Sequence, residues 1–198
     1  MSVEVAKPYL GPRVDELLAA MPAPRKALFL DRDGVINVDH GYVHTPEDTE
    51  WVPGIFELCA RAQRAGYLLV VVTNQAGIAR GYYSVGKFLD YTQWIHEQFA
   101  AQGTPLTATY YCPHHPDAGV GVLRLDCDCR KPKPGMLLSA GFDLQLDLSA
   151  SLLVGDKLSD LAAATAAGVG KGVLVDNRDC IKAFSIFNGL RRVDGDTR

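Results

Sequence analysis

Residues 27–34 read Ala-Leu-Phe-Leu-Asp-Arg-Asp-Gly, a short apolar run that ends in two carboxylates and a glycine. A run of this length, followed at once by polar residues, predicts a buried β-strand. Asp31 and Asp33 then stand two positions apart at the carboxyl end of that strand. If the backbone stays extended there, both side chains face the same side of the chain.

Further apolar runs predict strands at residues 68–73, 107–111, 152–154 and 172–175. Helical patterns lie between them at residues 55–65, 84–102 and 159–167, and a shorter one at residues 14–20 precedes the first strand. Strands that alternate with helices predict an α/β fold, a three-layer Rossmann-like parallel sheet with helices on both faces. We expect no large cap domain.

The 198 residues are 47% hydrophobic, which is enough for one substantial core. We expect residues 1–25, which contain several prolines and alanines, to form an N-terminal extension, and residues 26–198 to form a single domain. From Asn177 onward no periodicity is clear, so no element is predicted there.

The net charge of −3 argues against a nucleic-acid partner or an anionic membrane surface. No apolar run approaches the roughly 20 residues that span a bilayer. Charged residues such as Glu4 and Lys7 precede any long apolar stretch, which is not typical of a signal peptide. We therefore expect a cytoplasmic protein, and we expect it to be a monomer.

Ligands of a parallel sheet bind beyond the carboxyl ends of its strands. Three predicted strand ends carry polar residues: Asp31 with Asp33, Thr73 with Asn74, and Asp156. Two carboxylates held close repel one another unless a charge compensates them, and Mg²⁺ prefers such oxygen ligands. We therefore expect Mg²⁺ to be held by Asp31, Asp33 and Asp156.

A phosphatase mechanism follows from these residue types. Asp31 is the expected nucleophile and forms an aspartyl-phosphate, while Asp33 is the expected general acid and base. Thr73 donates its hydroxyl to a phosphoryl oxygen, and Lys131 offsets charge on the nucleophile and the transferred group. Gly34 lets the backbone turn tightly beside the phosphate.

The chain resembles the haloacid dehalogenase-like phosphatases in four ordered motifs, Asp31-Arg32-Asp33-Gly34-Val35, Thr73-Asn74, Lys131-Pro132 and Gly155-Asp156. Each motif alone is weak, because an Asp-x-Asp-Gly sequence also occurs in polar strand-end turns and in calcium loops. Four motifs in order, each at an expected strand end, favour the phosphatase.

Three of the five cysteines fall in one window with histidines, Cys112-Pro113-His114-His115 and Cys127-Asp128-Cys129. Sulfur with imidazole suits tetrahedral Zn²⁺, and four protein ligands leave no open position. We expect a structural zinc loop at residues 112–129, which fixes the adjacent Arg130 and Lys131. The alternative is a set of free thiols in a mobile loop; in a reducing compartment a metal is favoured over a disulfide.

A narrower resemblance is to the D-glycero-D-manno-heptose 1,7-bisphosphate 7-phosphatases. It rests on long segments that together cover about residues 27–176, namely 29–44, 71–81, 110–116, 127–137 and 154–157. It implies a soluble enzyme that removes the 7-phosphate of the sugar bisphosphate in ADP- or GDP-heptose synthesis, which supplies lipopolysaccharide or other surface glycans. Neither the first 25 residues nor the C-terminal tail shares it.

This resemblance also implies roles for residues. It makes His114 the zinc ligand beside the three cysteines and lets Asp33 reach the magnesium through its backbone carbonyl, so that its side chain stays free for proton transfer. A loop covers the sugar, formed by Asp39, His40, Gly41 and Tyr42. The reacting phosphate is held by Thr73, Asn74, Gln75 and Ala76. Arg130 recognises the rest of the substrate and Lys157 reaches the phosphate.

Three alternatives remain at this level. Histidinol-phosphate phosphatases also carry a zinc loop, but with a much shorter gap than the twelve residues between His114 and Cys127. A DNA 3′-phosphatase uses the same aspartate motifs, but the acidic balance argues against it. A non-catalytic, zinc-stabilised interaction module belongs to a different class. Arg80 fits equally well as a phosphate counterion or as a solvated loop cation.

Overall fold

A computed structural model describes residues 6–187. Six strands there form one sheet: β1 (Tyr9–Leu10), β2 (Ala27–Leu30), β3 (Leu68–Asn74), β4 (Ala108–Cys112), β5 (Leu152–Gly155) and β6 (Lys171–Leu174). Their spatial order is β1-β4-β3-β2-β5-β6. Only the pairing of β1 with β4 is antiparallel, and every other neighbouring pair is parallel. The carboxyl ends of β2, β3 and β5 therefore meet at one edge.

In residues 6–187, six helices and one short 3-10 segment connect the strands, and a second 3-10 segment follows β6. The helices are α1 (Val14–Ala19), α2 (Ile55–Arg64), α3 (Ala76–Ala79), α4 (Val85–Ala101), α5 (Gly135–Asp143) and α6 (Leu158–Ala167). The 3-10 segments are Gly121–Leu123 and Ile181–Phe187. Every predicted strand and helix is present with its ends within one residue, whereas β1, α3 and α5 were not predicted.

The central strands are buried on both faces, which explains their unbroken apolar sequence. Leu28 and Leu30 of β2 pack into one core cluster with α2 and α4. Ala27 and Phe29 of the same strand pack into a second cluster with α5 and α6. Alternate residues of a strand point to opposite faces, so one strand serves both clusters. The predicted three-layer α/β fold without a large cap is confirmed.

The first turn of α6 determines where an acidic side chain enters the site. Lys157 precedes the helix in an extended conformation, and its backbone N–H donates to Asp160 Oδ2 at 2.9 Å. This hydrogen bond satisfies an N–H at the helix start and fixes the carboxylate of Asp160. Asp160 is thereby held, buried, beside the carboxyl ends of β2 and β5.

The predicted N-terminal extension contributes to the sheet, because Tyr9 and Leu10 pair with Thr109 and Ala108 at its edge. The division into residues 1–25 and 26–198 stays a prediction, and residues 1–5 and 188–198 lie outside the described part of the chain. In residues 6–187 no helix is long and apolar enough to cross a membrane.

Candidate active site

The carboxyl ends of β2, β3 and β5 open into a cavity of about 580 Å³. Most predicted site residues line it: Asp31, Asp33, Asp39, Gly41, Tyr42, Asn74, Gln75, Ala76, Arg130, Lys131 and Lys157. It is also lined by residues that no sequence pattern singled out: Gly77, Tyr83, Ser159 and Asp160. The predicted residues Thr73, Asp156, Arg80 and His40 are not part of this lining. The His40 ring pairs with Glu50 at 3.0 Å on the surface.

Asp31 sits directly after β2 and is almost fully buried. Its backbone N–H donates to Val154 O at 3.0 Å, which holds it against β5. The Lys131 ammonium lies 2.9 Å from Asp31 Oδ1 and 2.7 Å from Asp160 Oδ1. The same ammonium donates to Val72 O at 2.8 Å, so all three of its protons have acceptors.

Burial raises the pKa of the Asp31 carboxyl to about 7, against the opposing charge of Lys131. Burial also disfavours the charged form of Lys131, but Asp31 and Asp160 outweigh this and raise the pKa of the lysine. The ammonium therefore stays charged at neutral pH. It is the fixed positive charge of the site, and its loss would leave two buried carboxylates without a counterion.

A group of three carboxylates, here called the acidic group, consists of Asp31, Asp156 and Asp160. One oxygen of each lies within 4.8 Å of the others. Burial and the negative charge of Asp160 both raise the pKa of Asp31 and of Asp156, so added positive charge would favour their ionised forms. Among residues 6–187, Asp156 Oδ1 is buried without a hydrogen-bond partner. A divalent cation with a preference for oxygen supplies both the charge and the missing partner, so the group fits Mg²⁺.

Gly34 allows the chain to pass this close to the acidic group. Its backbone has a φ of 92°, and a Cβ there would lie 2.2 Å from Asp156 Oδ2. Any larger residue would push the Asp156 carboxylate away. The glycine after the two aspartates is thus required by packing against Asp156 as well as by the turn.

The Asp33 side chain lies outside the acidic group. Arg32 Nη2 binds its two oxygens at 2.9 and 2.8 Å, and Asn37 Nδ2 donates to Oδ1 at 3.1 Å. The Arg32 guanidinium is buried against the rings of Tyr91 and Phe88. A backbone contribution of Asp33 to the metal stays a prediction, and its side chain is held apart from the three carboxylates.

Thr73 and Asn74 end β3, and their side chains have different surroundings. Asn74 clamps the backbone of Lys131 with two hydrogen bonds of 3.0 Å, one donated from Nδ2 and one accepted at Oδ1. Thr73 Oγ1 accepts a hydrogen bond of 2.7 Å from Gln75 Nε2. The Thr73 hydroxyl proton therefore remains available for another acceptor.

The loop that carries the predicted sugar contacts is tied to the acidic group by Lys157. Lys157 Nζ lies 3.3 Å from Asp39 Oδ2 and 3.7 Å from Asp156 Oδ2. Asp39 Oδ1 accepts from the backbone N–H of Gly41 at 3.0 Å. Tyr42 is half-exposed at the cavity wall and has a positive φ of 56°. The loop thus presents both charge and an aromatic ring to the cavity.

Asp160 is the main acidic residue that sequence reasoning missed. It stands four residues after Asp156, at the start of a predicted helix, where a carboxylate reads as an ordinary helix N-terminal residue. Its contact with Lys131 joins residues 29 positions apart in the chain, which no local pattern reveals. The sequence feature that could have pointed to Asp160 is its spacing, one helical turn after Asp156.

A second group, here called the cysteine cluster, consists of Cys112, His114, Cys127 and Cys129. One ligand atom of each lies within 4.8 Å of the others. Cys127 Sγ is 3.4 Å from Cys112 Sγ and 3.2 Å from Cys129 Sγ. These separations exceed the roughly 2.05 Å of a disulfide bond, and the cysteines are free.

The four ligand atoms of the cysteine cluster are close enough together to hold one metal ion. Tetrahedral Zn–S bonds of about 2.3 Å place sulfurs about 3.8 Å apart. His114 Nδ1 completes the set, at 3.9 Å from Cys112 Sγ and 3.6 Å from Cys129 Sγ. The cluster also reaches the cavity, because Arg130 and Lys131 follow Cys129 directly and Arg130 Nη1 donates to His114 O at 3.2 Å.

Residues 128–177 match the HAD-hydrolase-like family. A D-glycero-β-D-manno-heptose-1,7-bisphosphate 7-phosphatase of Vibrio cholerae serotype O1 is 56% identical over 151 residues, 76% of this chain and 81% of the relative. The D-glycero-α-D-manno-heptose-1,7-bisphosphate 7-phosphatase of Burkholderia mallei is 53% identical over 167 residues, 84% of this chain and 88% of the relative.

Solved structures agree with these relatives. The crystal structure of D,D-heptose 1,7-bisphosphate phosphatase from B. bronchiseptica, complexed with magnesium and phosphate, superposes with a TM-score of 0.68 at 34% identity. The match covers 84% of this chain and 88% of that one.

Proposed function

The chain belongs to the family of D-glycero-D-manno-heptose-1,7-bisphosphate 7-phosphatases, and on that premise we propose how its cavity removes the 7-phosphate, with Asp31 as the nucleophile. It is a phosphomonoester hydrolase of heptose metabolism with a HAD-like fold. One observation carries the residue assignment. The Asp31 carboxylate lies 2.9 Å from a buried ammonium, at a strand edge that opens into a cavity.

In the first step Asp31 attacks phosphorus, and the bond between phosphorus and the sugar oxygen breaks. Asp33 donates its proton to that leaving oxygen. In the second step Asp33 takes a proton from water, which attacks the aspartyl-phosphate and releases phosphate from Asp31. The contacts from Arg32 and Asn37 hold the Asp33 carboxylate in one orientation for both transfers.

Three further groups act on the phosphoryl oxygens. The Thr73 hydroxyl donates a hydrogen bond to one phosphoryl oxygen. Its proton is available because Thr73 Oγ1 is the acceptor in its bond with Gln75. Lys131 stabilises the charge that is shared between Asp31 and the transferred group. Asn74 acts by fixing the backbone of Lys131 at two atoms. Asp31, Asp156 and the Asp33 backbone carbonyl would hold Mg²⁺, which draws the phosphate in and screens its charge.

The substrate itself supports the proposed cationic contacts. A sugar bisphosphate carries about four negative charges near neutral pH. Arg130 and Lys157 line the cavity and are proposed to recognise the phosphates, beside Gln75 and Ala76 at the start of α3. Asp39, Gly41 and Tyr42 are proposed to contact the sugar, and His40 takes part as a member of their loop.

Three further assignments complete the proposal. We propose one structural Zn²⁺ in the cysteine cluster, where it pins residues 112–129 and the cations that follow. We also propose that the protein acts as a monomer in the cytoplasm. The active domain is proposed to extend from residue 26 to residue 198, with residues 1–25 as an extension that adds the edge strand β1.

A phosphate-release assay tests the proposal on purified protein with Mg²⁺. The substrates are the α- and β-anomers of the heptose bisphosphate, with histidinol phosphate beside them. We expect release from at least one heptose bisphosphate with a kcat/KM at least about tenfold above that for histidinol phosphate, because a missing phosphate contact costs at least this factor.

The control is Asp31→Asn, which keeps the shape of the side chain and removes the nucleophilic oxygen. Its rate defines the background of the assay. Faster turnover of histidinol phosphate by the wild type contradicts the substrate assignment. Equal rates for the wild type and Asp31→Asn contradict the nucleophile.

A further inference from the structure

Tyr83 lies behind the reacting residues and is 7% exposed. Its hydroxyl donates to Gln75 Oε1 at 2.7 Å. The direction of this bond follows from the other end of the amide: Gln75 Nε2 faces Thr73 and the Asp33 carboxylate, so Oε1 faces the tyrosine and can only accept. The tyrosine hydroxyl thus donates to the oxygen of a buried amide.

That amide contacts both residues that handle protons and phosphoryl oxygens. Gln75 Nε2 donates to Thr73 Oγ1 at 2.7 Å and to Asp33 Oδ2 at 3.3 Å. A carboxylate only accepts hydrogen bonds, so the amide nitrogen must face Asp33. If the amide rotated by half a turn, its oxygen would face the carboxylate and the Thr73 hydroxyl would have to donate to it.

We propose that Tyr83 is a positioning residue for the acid/base Asp33 and for Thr73, and that it acts through the Gln75 amide. By donating to Oε1, the Tyr83 hydroxyl holds the amide in the orientation in which Asp33 receives a donor and the Thr73 proton stays free. The inference rests on the proposed function, since it concerns how the same two residues are oriented for phosphoryl transfer.

The surroundings of the ring support a positioning role. The Tyr83 ring stacks on the His44 ring, with centroids 4.4 Å apart and planes 14° apart. Gly77 also approaches the tyrosine so closely that a Cβ there would lie 2.3 Å from its ring. These two contacts restrict the ring and therefore the location of its hydroxyl.

Tyr83→Phe removes the hydroxyl and keeps the ring. Steady-state kinetics are measured on the heptose bisphosphate and on 4-nitrophenyl phosphate, whose phenolate leaves without needing a proton. The constant kcat/KM covers only the steps up to formation of the aspartyl-phosphate. It therefore includes the role of Asp33 as an acid and leaves out its later role as a base. We expect kcat/KM to fall about tenfold for the sugar and less than about threefold for the aryl ester.

The matched control is Tyr110→Phe. Tyr110 is also buried, and its hydroxyl donates to Asp143 at 2.9 Å, away from the cavity. We expect this variant to keep wild-type kcat/KM on both substrates. Comparing the Tm of the two variants separates loss of a buried hydrogen bond from loss of positioning.

A double-mutant cycle tests the route through the amide. Gln75→Met removes the relay, and the double variant Tyr83→Phe/Gln75→Met should have the same kcat/KM for the sugar as Gln75→Met alone. Additive losses, equal losses on both substrates, or no loss in Tyr83→Phe would each overturn the inference. If the wild type itself fails to release phosphate from the sugar bisphosphate, the proposed function is contradicted. If the wild type is active and Tyr83→Phe is equally active, only the inference about Tyr83 is contradicted.

Discussion

The acidic group and the cysteine cluster lie near the same end of the sheet, but they differ in how complete their sets of ligand atoms are. The carboxylates of the acidic group keep a buried oxygen without a partner and stand beside an open cavity. The four ligand atoms of the cysteine cluster converge on one another, and all three cysteines are buried. An incomplete oxygen shell suits a cation that meets substrate, whereas a complete sulfur and nitrogen shell suits one that holds a loop.

The two groups are linked by very little chain. Cys129 ends the cysteine cluster, and Lys131, two residues later, binds Asp31 of the acidic group. We therefore expect changes in the acidic group to affect rate with little effect on stability. Changes in the cysteine cluster should affect stability first, and rate only through Lys131.

The largest expected effect is that of Asp31→Asn on turnover. The amide cannot form the aspartyl-phosphate, so kcat should fall by at least about 10³-fold. The Tm should change by only a few degrees, because Lys131 keeps Asp160 as its partner. The measurements are phosphate release and thermal unfolding.

The matched control for that variant is Asp126→Asn. Asp126 is an exposed carboxylate paired with Lys133 at 2.8 Å on the surface, so the same chemical change should leave kcat unaltered. An Asp31→Asn enzyme with a tenth or more of wild-type activity would contradict the prediction that changes in the acidic group act mainly on the rate.

Chelation should separate the two metals. The acidic group is open, so EDTA at moderate concentration should lower activity by at least about 10²-fold, and excess Mg²⁺ should restore it. The cysteine cluster is closed, so about one Zn²⁺ per chain should survive the same treatment. Metal analysis before and after treatment, with the assay alongside, checks both halves. Loss of zinc together with magnesium would contradict the closed site.

Cys127→Ser should act on stability. Loss of one thiolate weakens a structural zinc site, and we expect a loss of about 3 kcal/mol in the free energy of unfolding, or roughly 10 °C in Tm for a chain of this size. The measurements are zinc content and thermal unfolding. Full zinc content with an unchanged Tm would show that the cysteine cluster holds no structural metal.

The smallest expected effect is that of Cys59→Ser, the matched control for that change. Cys59 lies on α2, fully buried in the hydrophobic core, and is not a member of the cysteine cluster. Replacing its sulfur with a hydroxyl should cost about 1–2 kcal/mol and leave zinc content and kcat unchanged. A loss of zinc in this variant would mean that metal content follows general stability.

Much of this arrangement could be read from local sequence. The apolar runs that became β2, β3 and β5 are long enough to predict strands, and each ends in polar residues. Asp31, Thr73 and Asp156 were therefore predicted to meet. The short strand β1 has only two residues, and α5 follows a proline-rich turn, so neither produces a pattern that sequence periodicity can detect.

Other features depend on contacts between distant segments. Asp160 joins the acidic group only because α6 starts beside β5 and turns its first carboxylate toward Lys131. The prediction that Asn74 holds phosphate stays a prediction, and its side chain hydrogen-bonds to the Lys131 backbone. Such roles depend on which loops meet in the fold, and the local sequence around a residue does not predict this.

The sequence by itself determined the strand–helix alternation, the family, the nucleophile motif and the four zinc-type ligands, because these are set by periodicity and by spacing within short segments. Only the tertiary structure decided that the Asp33 side chain turns to Arg32, that Asp160 completes the acidic group, and that Tyr83 reaches Gln75. The physical reason is that orientation of a buried polar side chain depends on which hydrogen-bond partners the fold brings within about 3 Å, and those partners come from other elements of the chain.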